Sequence, residues 1–268
     1  MILSLSGFLF EDDYKSQSVS FAGFCRIARE SGYDGVELRR TQVDPDTPGE
    51  TIIDLKRILD DYGLTVTGLI ARGLPDDPRR RDEGLRRYLD LCRNLGCTLL
   101  RVSGSPSWCL AACSLAEAFG VTLGANNHVG SPLETVAGTR EFLAATAPGG
   151  FRLLYDALHL SISGEPYLDC IPEFAPVTRN ILVHSCRPAR PGEPRSFQAA
   201  GRAWVPVLPD ESPVQDWPGV FQRFRSAGYD GLITVVESGW PVEQRPEIAR
   251  RTAGAIRRMW EESRCTSR

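Results

Sequence analysis

The chain alternates between strand-like and helix-like segments along its whole length. Short apolar runs, such as residues 2–7 and 181–184, alternate with amphipathic stretches such as residues 50–63. Eight strand-like runs and eight helix-like crossovers follow one another without a break. Because regular alternation of this kind makes successive strands parallel, eight units predict a closed barrel. The predicted fold class is α/β, a single (β/α)8 barrel domain over residues 1–268.

Two near-copies support a structure built from repeated units. Residues 28–38 read ARESGYDGVEL, and residues 225–237 read RSAGYDGLITVVE. In each copy a glycine is placed to end a helix, and an Asp-Gly pair leads into a strand. The first and last parts of the barrel are therefore expected to share one local structure.

One long segment does not fit the alternation. Residues 186–216 follow the seventh predicted strand and are rich in proline, glycine and arginine. Loops at the carboxyl ends of barrel strands surround the active site, so this segment is predicted to be a loop excursion that faces the substrate. A mobile surface loop is the alternative.

Composition excludes several classes of function. A net charge of −3 gives no general attraction for polyanions, so no nucleic-acid partner is expected. No apolar stretch approaches the roughly 20 residues of a membrane span, and the first residues lack the basic region of a secretory leader. The eight cysteines are dispersed without a C-x-x-C pair, which favours a reduced, cytoplasmic protein. The only lysines, Lys15 and Lys56, lie away from the strand ends, so no Schiff-base nucleophile is evident.

Polar residues stand at the carboxyl ends of the last four predicted strands. His128, His159 and His184 each lie at or just after the end of an apolar run, and Glu237 closes the run LITVVE. The carboxyl ends of parallel barrel strands meet at one face, where such barrels place their active sites. These four side chains are therefore expected to surround one site.

The ordered motifs GYDGVEL, LRVSG, N-N-H, D-x-x-H, ILVH, DWPGVF and GYDGLITVVES cover nearly the whole chain. Taken together they resemble the xylose-isomerase-like superfamily of TIM barrels, which contains sugar isomerases and epimerases. The resemblance implies an isomerase-type enzyme that uses a divalent metal, with Mn²⁺ first and Zn, Fe, Co or Mg as alternatives. Carried over onto this chain, the implied metal ligands are Asn126, Asp156, His184 and Glu237.

Asn126 departs from the family pattern, which has a glutamate at the end of strand 5. An amide has no useful pKa near neutrality, and it binds a metal less tightly than a carboxylate because it carries no charge. Epimerisation with two opposed carboxylate bases is therefore disfavoured, and metal occupancy is left open. One-base chemistry remains: aldose–ketose isomerisation, or a related dehydration, of a small sugar-like or polyol-derived substrate. Glu237 is the predicted general base, and His159 is the second predicted catalytic residue.

Two functions other than a metal-dependent isomerase or dehydratase are also considered for this fold. A diverged barrel could carry out acid–base chemistry without metal, or bind a ligand without turnover. A DNA-repair endonuclease of the same superfamily is excluded, because the chain has three histidines, too few for a trinuclear zinc cluster, and lacks a basic face.

Further residues near the strand ends are candidates for substrate binding. Arg187 and Arg101 could hold an anionic group of the substrate, and the tryptophans could stack on a ring. Arg187 could equally be solvated, His128 could bond only a neighbouring loop, and the arginines at 79–81 are expected on the solvated surface. A homodimer is left open. The candidate substrate-binding residues are His128, Asn127, Arg187, Arg101, Trp108 and Trp240.

Overall fold

Eight parallel strands close into a barrel in the computed structural model, which describes residues 1–75, 77–193 and 197–264. The strands pair in chain order, and β1 pairs with both β2 and β8, which closes the ring. The barrel strands are β1 (Ile2–Ser6), β2 (Gly35–Leu38), β3 (Thr65–Ile70), β4 (Leu99–Arg101), β5 (Thr122–Asn126), β6 (Arg152–Asp156), β7 (Thr178–Val183) and β8 (Leu232–Val235).

Helices surround the barrel, and side-chain caps fix where several of them begin. Ser20, Asp77 and Asp216 each accept a hydrogen bond from a backbone N–H of the first helical turn. Within the described ranges, no helix is both long enough and apolar enough to cross a membrane. The helices are α1 (Phe21–Glu30), α2 (Gly49–Asp61), α3 (Pro78–Leu95), α4 (Pro106–Glu117), α5 (Val136–Thr146), α6 (Ala157–Ile162), α7 (Ile171–Phe174), α8 (Trp217–Ser226) and α9 (Arg245–Glu262).

The two GYDG copies adopt the same local structure. Gly32 and Gly228 have φ angles of +86° and +80°, in the left-handed region that a residue with a Cβ rarely adopts. The next residue of each copy, Tyr33 or Tyr229, donates its backbone N–H to a carbonyl five residues back in the preceding helix. These are the bonds of a helix that ends on a left-handed glycine. The glycine positions predicted from the repeat are confirmed.

The strands separate two apolar layers because side chains alternate between the faces of a strand. Ile181 and Ile233 belong to the large cluster that also contains the helix residues Phe221 and Trp260. A second cluster takes the alternate positions of the same strands and fills the inside of the barrel. It consists of Leu99, Leu154, Leu182, Leu232 and Val236. This plug separates the two ends of the barrel.

The segment predicted as a loop excursion contains strands. Ser185–Pro188 pairs antiparallel with Arg202–Val207, which also pairs with Phe197–Ala199. Trp204 and Cys186 of this sheet pack against α6 in a small apolar cluster. Residues 194–196 lie outside the described part of the chain. The excursion that follows β7 is therefore a small sheet over much of its length.

A pair of glycine substitutions tests the helix-ending geometry. Gly228→Ala should destabilise the protein by about 1–2 kcal/mol, because an alanine resists the left-handed backbone. Gly254→Ala, in the exposed interior of α9, should stabilise it by about 0.5–1 kcal/mol, since nothing lies within 4 Å of the added Cβ. Denaturant unfolding of both variants measures these changes. Destabilisation of equal size in both would contradict the assignment.

Candidate active site

The residues at the carboxyl-terminal mouth of the barrel are placed by the alternation that builds the inner plug. Leu99, Leu154 and Leu182 face the barrel interior. Two positions further along the same strands stand Arg101, Asp156 and His184, which therefore point into the mouth. Asn126 ends β5 on the interior face in the same way. Four of the predicted residues are thus brought together at one end of the barrel.

Asp156 is the centre of this group. Its carboxylate is 1% exposed, and its Oδ1 lies 2.9 Å from Nε2 of His184. Oδ1 also accepts the backbone N–H of His159 at 3.3 Å, and Oδ2 accepts the side-chain amide of Asn126 at 3.3 Å. Each oxygen therefore has at least one partner, as a buried carboxylate requires.

The pKa shifts of Asp156, His159 and His184 indicate which of these side chains carry a charge. Burial alone would raise the pKa of Asp156, but His184 and His159 hold that pKa well below its usual range. Burial opposes protonation of His184 as well, and the adjacent Asp156 carboxylate nevertheless raises the His184 pKa. Burial lowers the pKa of His159 to about 4, so its imidazole is neutral near pH 7. Asp156 is therefore ionised, and it faces one histidine whose pKa it raises and one whose pKa burial lowers.

Asn127 has a structural role instead of the predicted contact with substrate. It is fully buried, its amide nitrogen donates to the carbonyl of Asp156 at 2.6 Å, and its amide oxygen accepts the Asp156 N–H at 3.0 Å. Both polar ends of the side chain are used. Asn127 follows Asn126 on the opposite face of β5, and it fixes the backbone that presents the Asp156 carboxylate.

A cavity of about 600 Å³ opens above the plug, and we call it the histidine lobe. His128, His159, His184, Asp156 and Asn126 lie in its walls. The rings of His128 and His159 are in contact, with centroids 3.9 Å apart and planes tilted by 40°. His128 is exposed, and its Nδ1 lies 2.6 Å from the carbonyl of Val129. The contact with a neighbouring loop, one of the two predicted roles of His128, therefore does form. Its position on the cavity wall also makes it accessible to a ligand.

Three aromatic side chains in the walls of the histidine lobe were missed by sequence reasoning. Phe8 and Tyr14 come from the segment after β1, and Phe197 comes from the excursion sheet. Phe8 stands just past the end of a strand, which is the signal that could have identified it. Nothing in the pattern around Tyr14 or Phe197 indicates that their backbones fold over the mouth.

Glu237 is buried beside this cavity but is not part of its wall. It follows Val236, which belongs to the inner plug, and among the described residues it does not line the lobe. Its Oε2 accepts the indole N–H of Trp240 at 3.0 Å, whereas its buried Oε1 has no hydrogen-bond partner among the residues that the structure describes. Burial raises the pKa of Glu237 to about 7. The carboxylate is therefore held on one oxygen and uncommitted on the other.

Three other candidates for substrate binding have partners within the protein. Arg187 forms a bidentate ion pair with Glu193 instead of pointing into the cavity. Trp108 donates its indole N–H to Asp82 at 3.2 Å, outside the walls of the lobe. Trp240 bonds Glu237 and does not line the lobe either. Of the six predicted substrate-binding residues, Arg101 and His128 are the two that line the described wall of the histidine lobe.

The donor atoms of the mouth fit a divalent cation. One ligand atom from each of Asp156, His159 and His184 lies within 4.8 Å of the others, and the buried Nδ1 of His159 has no hydrogen-bond partner in the described part of the chain. One carboxylate and two imidazoles are a donor set that suits Zn²⁺, Fe²⁺ or Mn²⁺. Of the ligands implied by the resemblance, Asn126, Asp156 and His184 come together. Glu237 lies outside the cluster found in the described residues, and His159 is a member of it.

Residues 25–259 match the sequence model described as the xylose isomerase-like TIM barrel. The chain therefore belongs to the xylose isomerase-like TIM barrel family, and the predicted fold is confirmed.

Individual relatives cover different shares of the chain. An inosose dehydratase of Geobacillus thermodenitrificans is 31% identical over 139 residues, which are 50% of this chain and 45% of that protein. A protein of Streptomyces coelicolor assigned as a hydroxypyruvate isomerase is 27% identical over 244 residues, 77% of this chain and 81% of that protein. The structure of AsbF from Bacillus anthracis, assigned as a 3-DHS dehydratase of petrobactin synthesis, matches with a TM-score of 0.77 at 19% identity, over 96% of this chain and 99% of that chain.

This chain spans about half the length of the inosose dehydratases that it matches. The relatives support the prediction of an enzyme of the sugar isomerase or epimerase type, with a lyase reaction also open. The AsbF structure, at 19% identity, supports the fold alone.

The raised pKa of Glu237 predicts a pH-dependent cost of folding. Its carboxyl is neutral below pH 4.5 in both folded and unfolded chains, and only the unfolded chain ionises it readily between pH 4.5 and about 7. The contribution of Glu237 to the free energy of unfolding of the wild-type protein is therefore lost as the pH rises from 4.5 to about 7. The stability of Glu237→Gln relative to wild type should increase by about 2–3 kcal/mol between pH 5 and pH 8.

Denaturant unfolding of EDTA-treated protein measures this difference without interference from a bound cation. Glu243→Gln, at an exposed position nearby, is the matched control and should follow the wild-type profile. A difference between Glu237→Gln and wild type that does not change with pH would contradict the buried, neutral carboxyl.

Proposed function

We propose that this protein removes a proton from a carbon next to a carbonyl group in a small sugar-like or polyol-derived substrate. Isomerisation or dehydration then follows. The observation that carries the proposal is the cluster of Asp156, His159 and His184 in the wall of the histidine lobe, with one uncommitted carboxylate, Glu237, beside it. A base, a neutral imidazole and a cluster of metal donors are the groups that this chemistry requires.

Asp156, His159 and His184 would hold a divalent cation, with the side-chain oxygen of Asn126 as a further donor. A cation bound there would polarise the substrate carbonyl and stabilise the negative charge that develops when the carbon-bound proton leaves. The donors come from β5, β6, the first turn of α6 and the end of β7. They are therefore positioned by rigid elements, and Asn127 fixes the backbone of the central one.

Glu237 would act as the general base. A pKa of about 7 matches proton transfer near neutral pH, because the carboxylate is then a stronger base than an exposed one. Trp240 holds Oε2, which leaves Oε1 to accept the proton. The flanking residues Val236 and Ser238 form part of the cavity wall, so Oε1 must turn between them to reach the substrate.

His159 would serve the oxygen end of the reaction. Its imidazole is neutral near pH 7 and can donate a hydrogen bond to a carbonyl or enolate oxygen from the ring nitrogen that is not bound to the cation. Dehydration also requires a proton for the departing hydroxyl, which Glu237 would supply after taking the carbon-bound proton, whereas isomerisation requires Glu237 to return that proton to the neighbouring carbon. Named relatives support both outcomes: inosose dehydratases match between 50% and 72% of the chain, and a protein assigned as a hydroxypyruvate isomerase matches 77% of it.

Exchange of the substrate proton tests the shared first step. Wild-type protein loaded with Mn²⁺ should exchange the proton next to the carbonyl of hydroxypyruvate or an inosose in D₂O, as followed by NMR. Glu237→Gln should slow this exchange by about 10²- to 10⁴-fold, because general-base catalysis contributes that much. Glu243→Gln should leave the rate unchanged.

Product analysis in the same samples separates an isomer from a dehydrated enol or enone. An unchanged exchange rate in Glu237→Gln would assign the base elsewhere. Absence of exchange with every hydroxy-carbonyl compound tried would contradict the proposed function as a whole.

Cation binding can be measured independently of turnover. At a metal concentration about 100-fold above Kd, the free energy of unfolding should rise by about 2.7 kcal/mol. Asp156→Asn keeps the shape of the side chain but removes its charge, so the increase should largely disappear. Asp60→Asn, on the exposed side of α2, is the control. Wild-type stability that does not respond to Mn²⁺, Zn²⁺ or Mg²⁺ would count against a metal site at Asp156.

A further inference from the structure

The histidine lobe adjoins a second cavity of about 540 Å³ at the carboxyl ends of β3, β4 and β5. We call this the arginine lobe. Arg101, Asn126 and His128 lie in the walls of both cavities. A ligand that passes these three side chains would contact both lobes.

The arginine lobe is lined by guanidinium groups without matching carboxylates. Arg72, Arg81 and Arg101 lie in its wall, and in the described part of the chain no acidic side chain does. None of the three forms an ion pair with a described residue. By contrast Arg39, on the wall of the histidine lobe, is neutralised by Glu11 at 2.7 Å.

Contacts with neutral groups hold these side chains in place. The Arg72 guanidinium lies 5.2 Å from the centre of the Tyr14 ring. Arg81 lies 4.3 Å from the Trp108 ring, donates from Nη2 to the carbonyl of Ser103 at 2.8 Å, and has a buried Nε–H without a partner. Arg81 was expected on the solvated surface with its two neighbours, and the structure corrects that expectation. Aromatic and carbonyl contacts position the charges but do not neutralise them.

Arg101 connects the two lobes. It stands on the same interior face as Asp156 and His184, and burial lowers its pKa. The carboxylate of Asp156 is already bonded to His184 and Asn126. The carboxylates of Glu37 and Asp156 favour the charge of Arg101, but neither forms an ion pair with it, so an anionic ligand would stabilise this partly buried arginine. Such an anion would lie on the side of the mouth that Arg72 and Arg81 also line.

We propose that the arginine lobe binds an anionic group of the substrate, a carboxylate or a phosphate, while the hydroxy-carbonyl end of the same molecule occupies the histidine lobe. The inference rests on the proposed function for the second part of this statement. It narrows the substrate class to sugar acids, keto acids or phosphorylated sugars. Planar guanidinium groups bind both kinds of anion through paired hydrogen bonds.

Binding of small matched ligands tests the inference without turnover. Isothermal titration of EDTA-treated, dialysed protein would compare glycerate, glycerol 3-phosphate and glycerol. At least one anion should bind, and neutral glycerol should not. The anion that binds more tightly assigns the group as carboxylate or phosphate. Failure of both anions to bind to wild-type protein, or binding of glycerol as tight as that of the anions, would overturn the inference.

Substitutions locate the binding. Arg101→Gln should weaken anion binding about tenfold or more, because a charge-assisted hydrogen bond is lost. Arg72→Gln, at an exposed position where folding is not at risk, should weaken it in the same direction. Arg57→Gln, on the exposed surface of α2, is the control and should bind like wild type. Anion affinity unchanged in both Arg101→Gln and Arg72→Gln would overturn the inference.

The two proposals can fail separately. Arginine-dependent anion binding in a protein that exchanges no substrate proton would leave this inference in place and remove the proposed function. Proton exchange on neutral and anionic substrates at equal rates, with no effect of Arg101→Gln, would do the reverse.

Discussion

The mouth of this barrel depends on one buried carboxylate and the bonds that satisfy it. Asp156 is almost fully buried, and an ionised carboxylate in such a place is stable only where donors surround it. His184, Asn126 and the first turn of α6 provide those donors, and Asn127 bonds both backbone groups of Asp156 from the neighbouring strand. Loss of this carboxylate would leave two histidines and an amide without their common partner.

The alternation of side chains along the strands explains both the successes and the failures of sequence reasoning about the site. Eight strand–helix units predict the barrel, since parallel strands joined by helices have few other ways to bury both faces. Arg101 was predicted from its place at a strand end, Asn126 and Asp156 were predicted from the family resemblance, and His184 was predicted from both. Arg101, Asp156 and His184 face inward because each stands two positions after an interior leucine. Glu237, predicted both from its place at a strand end and from the resemblance, comes one residue after the interior Val236 and does not line the cavity wall.

The remaining differences concern partners that no local pattern specifies. Arg187 could not be known to pair with Glu193, because the turn that joins them depends on how the excursion sheet folds. Trp240 was recognised as an aromatic side chain near a strand end, but its N–H bond to Glu237 arises from the course of the loop after β8. Arg81 belongs to a run of three arginines, and only its position on α3 beside Trp108 separates it from its solvated neighbours.

Two features of the residues at the mouth of the barrel make its charge more positive. Where the family pattern has a glutamate, Asn126 removes one negative charge from the wall shared by the two lobes. Beside it, Arg72, Arg81 and Arg101 add positive charge that no described carboxylate of the arginine lobe offsets. The missing base disfavours a two-base epimerisation, and the uncompensated arginines disfavour a neutral sugar. Both features agree with the proposed substrate, which would carry its own negative charge and need only one base.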